Sequence, residues 1–84
     1  MASRRELIRA IDLTLSGKWE EAHKLVQKHS DDRRANHIHA ILHRQEGDKT
    51  NAMYWYERAG FDQWPNTDPD GQLLTLREQL EHQA

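Results

Sequence analysis

Shifted against itself by thirty residues, the chain falls into register: Ile8 lands on Ile38, Ala10 on Ala40, Ile11 on Ile41, Gly17 on Gly47 and Ala22 on Ala52. Leu25 and Val26 land on Trp55 and Tyr56. Such a period is the mark of stacked supersecondary units, each unable to bury its apolar face alone. The matching residues fit that reading, because small side chains recur where helices must cross closely and glycine recurs at the turn between them. In the second copy Ala52, Trp55, Tyr56 and Ala59 fall at i, i+3, i+4 and i+7, which sets them on one side of a helix. The chain therefore reads as two copies of a helical hairpin.

Local signals place the helix ends. Ser3-Arg4-Arg5-Glu6 has the form of a capping box, with the Ser3 hydroxyl and the Glu6 carboxylate each satisfying a backbone N–H. The helix it opens carries Leu7, Ile8, Ala10, Ile11 and Leu15 and ends near Ser16-Gly17. A second, roughly 18–29, buries Trp19, Ala22, Leu25 and Val26. Ser30-Asp31-Asp32 caps a third, about 33–46, with Ala35, Ile38, Ile41 and Leu42 inward. Asp48 caps a fourth, which closes at Gly60 with apolar Phe61 behind it. The segment through Trp64-Pro65-Asn66-Thr67-Asp68-Pro69 holds too many breakers to be helical, and Asp68 with Pro69 starts a fifth helix with Leu73, Leu76, Arg77 and Leu80 on one stripe. No stretch alternates with period two, so no sheet is expected. The expected architecture is all-α and of one domain: hairpin one about 3–29, hairpin two about 32–60, a loop at 61–69 and a capping helix about 69–82.

Eighty-four residues allow only a small core, and 36% apolar content is thin. A net charge of only −2 and periodic apolar residues still argue for a folded chain over a disordered one, with homodimerisation expected to complete the core. Residues 1–58 hold eleven Lys/Arg against nine Asp/Glu; residues 59–84 hold Arg77 against five acids. Neither part has the concentrated positive footprint of a nucleic-acid binder. With no cysteine, disulfides, thiolate zinc sites and cysteine nucleophiles are excluded. No apolar run follows Arg4-Arg5 as a signal peptide requires, and none approaches membrane-spanning length, so a cytoplasmic location is expected.

A small residue, then Gly-x-x-x-x-Ala, then an aromatic pair ending in Ala resembles the tetratricopeptide repeat. Asn51-Ala52-Met53-Tyr54-Trp55-Tyr56-Glu57-Arg58-Ala59-Gly60 is also similar to the second helix of a Sel1-like repeat. The resemblance covers roughly residues 3–64, with a spacing of 30 where tetratricopeptide repeats usually have about 34. The run from His39-Ala40 through Tyr54-Trp55-Tyr56 further resembles a group of short bacterial proteins of unassigned function, from which no activity carries over. The tetratricopeptide resemblance implies a protein–protein interaction module whose first helices line a concave groove for an extended peptide. Mapped onto this chain, that lining is Arg4, Leu7, Ile11 and Thr14 from the first hairpin and Arg34, His37, Ile41 and Arg44 from the second. Arginine forks suit carboxylates, so the implied partner is a protein or peptide with an acidic segment or a chain terminus.

Six histidines are many for this length, and three of them, His37, His39 and His43, share one predicted helix. At about 100° per residue, His39, His43 and Glu46 fall on a narrow stripe. Two imidazoles at i, i+4 with a carboxylate one turn on are able to hold Zn or another divalent metal, which makes a metal-binding protein or small metal-dependent enzyme the alternative reading. The spacing alone is a weak signal, and the same stripe borders Ala35, Ile38 and Leu42, as expected of histidines packed at a helix interface. Trp55 and Tyr56 read as core, and Trp64 as folding back beneath the fifth helix. There is no Gly-rich phosphate loop, no Gly-x-Ser-x-Gly elbow and no isolated carboxylate pair, so no catalytic residue is assigned and no cofactor other than the alternative metal.

Overall fold

The computed structural model describes residues 1–82 and contains five helices: α1 (Arg4–Leu15), α2 (Trp19–Gln27), α3 (Arg33–Gln45), α4 (Lys49–Arg58) and α5 (Pro69–Glu81). No strand occurs among the described residues. The first helix opens with the capping box: Glu6 N–H donates to Ser3 Oγ and Ser3 N–H to Glu6 Oε1, both at 3.1 Å. Asp32 opens α3 by accepting from the backbone N–H groups of Arg34 and Ala35, and its other oxygen accepts from the Ala2 N–H. One buried carboxylate thus starts the second hairpin and ties down the front of the first.

Both hairpin turns are built alike. After α1 the Gly17 N–H bonds to Thr14 O and the Lys18 N–H to Leu13 O; after α3 the Gly47 N–H bonds to Arg44 O and the Asp48 N–H to His43 O. These pairs satisfy the orphan carbonyls of each last turn and need a left-handed residue at the corner, which Gly17 (φ 77°) and Gly47 (φ 83°) supply. The turn after α4 repeats the pattern through Phe61 N–H to Tyr56 O, and the two rings meet edge-on with centroids 5.3 Å apart.

The turns fold α2 back on α1 and α4 back on α3, and the hairpins then stack through α2 and α3. Ala10, Ala22, Ala40 and Ala52, all recurrent in the sequence, are fully buried at these contacts. The fifth helix, capped by Asp68 through the Gly71 N–H, lies across α1 and α3, the first helices of both hairpins. Leu73, Leu76 and Leu80 face inward, while Arg77 reaches over to Asp12 of α1 with Nε–Oδ1 at 2.8 Å and a second bond to Oδ2. That placement covers the side on which the sequence reading put an open groove. Leu7, Ile11 and Thr14 are buried beneath it, and Ile41 has no exposed surface. Trp64 sets its ring edge against Tyr56 and lies under the guanidinium of Arg44. No described helix is long and apolar enough to cross a membrane.

Candidate functional site

Helix α3 carries the chemistry on two opposed faces. On the face toward α5, a cleft of about 440 Å³ opens between α3, the Phe61–Pro69 loop and α5, with Arg33, Arg34 and His37 on one wall and Gln72, Thr75 and Gln79 on the other. Arg33 is exposed, and its guanidinium lies over the Gly60 corner. Arg34 is half-buried with Nε 3.8 Å from Asp32. His37 Nε2 lies 3.0 Å from Gln72 Oε1, an atom that also accepts from the Tyr56 hydroxyl at 3.2 Å. Because the Gln72 amide donates to Thr67 O at 2.7 Å, its oxygen is fixed toward His37, and this network assigns the His37 proton to Nε2. Burial lowers the His37 pKa, and the bond to Gln72 opposes part of that shift. Among the described residues no carboxylate lines this cleft.

Of the four residues expected on the recognition face, Arg34 and His37 line the cleft. Ile41 lies in the core, where no partner reaches it. Arg44 is half-buried and spent on structure: its guanidinium donates to the Tyr56 hydroxyl and to Thr67 O, both at 3.3 Å, and stacks 4.8 Å from the Trp64 ring. It fastens the loop to α3.

The opposite face of α3 meets α2 and α4 in a cluster of rings. His39 and His43, one turn apart, face His23 of α2; His39 Nε2 and His23 Nε2 are 3.0 Å apart. The three ring centroids lie 4.7, 5.2 and 5.0 Å from one another. Trp19 stacks on His23 at 4.5 Å and Trp55 on His39 at 3.9 Å. The Trp19 indole N–H donates to Leu42 O at 2.7 Å, which locks α2 to α3 beside the cluster. Glu46, expected to converge with His39 and His43, instead lies behind the cluster, its Oε1 2.6 Å from His43 Nδ1. Burial, with the neighbouring His23 and His43 adding to it, pushes the His39 pKa down to about 3; burial likewise lowers that of His23. Both shifts favour the neutral imidazole at His39 and His23.

The sequence reading paired His39 with His43 and missed His23. The available signal was Trp19-x-x-x-His23, which sets the two rings on one flank of α2 next to the buried Ala22. Comparison with protein-family models, curated proteins and solved structures finds no match to this chain.

Proposed function

We propose that this chain is a small protein-interaction module that holds an acidic segment of a partner protein in the cleft between α3 and α5. The observation that carries the reading is the composition of that cleft. In a chain of net charge −2, it gathers the guanidinium groups of Arg33 and Arg34 with no carboxylate among its described lining, beside the His37 ring and side-chain amides and hydroxyls that suit a peptide backbone. Arginine forks recognise carboxylates in bidentate geometry, and complementary charge raises association rate and selectivity. The resemblance to tetratricopeptide repeats supports a peptide-binding role, with α5 leaving only the first half of α3 open to a ligand. The short cleft favours a weak, salt-sensitive contact with a cytoplasmic partner.

A photo-crosslinking residue in place of Thr75, which is exposed on the cleft wall, tests this in source-cell lysate. The crosslinked peptide should be acidic, and the yield should collapse with Arg33→Glu/Gln79→Glu, which reverses the cleft charge at two exposed positions. A crosslinked peptide that is basic or apolar, or a yield indifferent to the charge reversal, refutes the reading. Self-association, the other expectation from the sequence, finds its candidate surface on the outer flank of α4, where Tyr54 is 51% exposed beside Met53 and Trp64. Sedimentation equilibrium of wild type against Tyr54→Glu tests it, and a monomeric wild type refutes it.

A further inference from the structure

We propose that His23, His39 and His43 form a binding site for a divalent transition-metal ion, with Glu46 orienting His43 from behind. This site lies on the far side of α3 from the peptide cleft and stands whether or not the cleft reading does. One ring nitrogen from each histidine lies within 4.8 Å of those of the other two, the convergence that a shared ion requires. Ligation at about 2.0–2.1 Å in a tetrahedral site separates neighbouring ligand nitrogens by about 3.3 Å. The His23–His39 pair, at 3.0 Å, therefore needs to open by only a few tenths of an ångström.

Hydrogen bonding does not account for the cluster. Two neutral imidazoles facing each other through Nε2 make one bond between them, and His39 Nδ1 is then buried with no partner. If His39 accepts from His23, Nδ1 carries a proton with no acceptor; if it donates, Nδ1 is a lone pair with no donor. A buried polar group so placed costs about 1–3 kcal/mol; an ion at Nε2 keeps a proton on Nδ1 and leaves that cost in place, so it is the convergence of the three rings that points to the ion. His39 is only 2% exposed, on a stretch of α3 otherwise filled by Ile38, Ala40, Ile41 and Leu42.

The surroundings are those of a metal ligand shell. Glu46 Oε1 at 2.6 Å fixes the proton of His43 on Nδ1 and leaves Nε2 with its lone pair free, the carboxylate–histidine arrangement that raises ligand basicity. Trp19 and Trp55 hold two of the rings by stacking. Three imidazoles without thiolate or an oxygen cage select zinc, cobalt, nickel or copper over magnesium and calcium, with water completing the shell. The ligands come from α2 of one hairpin and α3 of the other, so an occupied site clamps the stack. A second grouping, His43 with Glu46 and Asp48, shares one ligand, but Glu46 and Asp48 are exposed and Asp48 already caps α4 through the Asn51 N–H.

The test is titration of chelator-treated full-length protein with Zn²⁺ and with Co²⁺, read by calorimetry, melting temperature, cobalt visible absorption and tryptophan fluorescence. One ion per chain is expected, with a raised melting temperature, ligand-field bands of low coordination number and quenching of Trp19 and Trp55 by cobalt. His23→Ala should weaken binding at least 100-fold, Glu46→Gln by about 10–100-fold, and Asp48→Ser, which keeps a cap on α4, should leave it unchanged. Absence of stoichiometric binding by wild type overturns the proposal. So does binding that survives His23→Ala or is lost with Asp48→Ser. Because the wild-type titration alone decides the first point, a variant that fails to fold does not shelter the proposal.

Discussion

Replacing Ile41 with alanine separates the fold described here from an open tetratricopeptide-type groove. In such a groove Ile41 is a contact residue, and its truncation costs little stability while weakening partner binding. Here it has no exposed surface and belongs to one core cluster with Leu7, Ile11, Leu73, Leu76 and Leu80. Ile→Ala at a site of that kind costs about 2–5 kcal/mol, the sum of lost transfer energy and the cavity left behind. A domain of this size holds about 4–12 kcal/mol in total. A loss of about 3 kcal/mol lowers the melting temperature by about 12–24 °C. Urea unfolding followed by far-ultraviolet circular dichroism and tryptophan fluorescence should show a lower midpoint at unchanged slope, the sign of lost stability in the same fold. Leu74→Ala on the outer side of α5, 56% exposed, should stay within about 0.5 kcal/mol of wild type. If Ile41→Ala also stays within about 0.5 kcal/mol, α5 does not cover the hairpins and the assignment of the cleft fails with it.

Acid should weaken the chelator-treated protein. Burial lowers the pKa values of His37 and His39 in the fold, whereas the unfolded chain titrates near 6.5, so the unfolded state binds more protons as pH falls. Their stabilising contribution is complete above that pH and is lost below it, about 1 kcal/mol from His39 alone by pH 5.5. An unchanged melting temperature between pH 7.5 and 5.5 counts against buried neutral histidines. Two glycine substitutions should move in opposite directions. Gly47→Ala meets no atom within 4 Å but forces φ 83° on an L-residue, at about 1 kcal/mol. Gly71→Ala sits in the first turn of α5 at an ordinary φ, with its nearest neighbour 3.9 Å away, and should stabilise by up to about 1 kcal/mol. Thermal melts that shift both variants the same way refute this account of the turns.

What the sequence made legible was local. Ser3 with Glu6, Asp32, Asp48 and Asp68 with Pro69 act within one helical turn, so the helix starts could be read without knowing the tertiary structure. The corners at Gly17 and Gly47 were equally readable, because the capping bonds there span only a few residues. Placement of α5 was not. The stripe of Leu73, Leu76 and Leu80 announces a buried face but not what buries it, and the 61–69 loop permits more than one docking position. Ile41 was assigned to a groove for that reason. The bonds of Arg44 were likewise not legible, since its partners Tyr56 and Thr67 come from segments that the fold alone brings near. The histidine cluster was half legible: His39 and His43 are related by helical period, but His23 joins them only through the crossing of α2 and α3. Period and capping residues carry no information about that crossing.

The most direct test of the central claim is a titration of ¹⁵N-labelled protein with a Glu-rich peptide, followed by backbone and side-chain amide shifts. The account predicts saturable shifts at Arg33, His37, Gln72 and Gln79, weakened at high salt and absent in Arg33→Glu/Gln79→Glu. Saturable shifts confined to the outer flank of α4, or no saturable shift at low salt, contradict it.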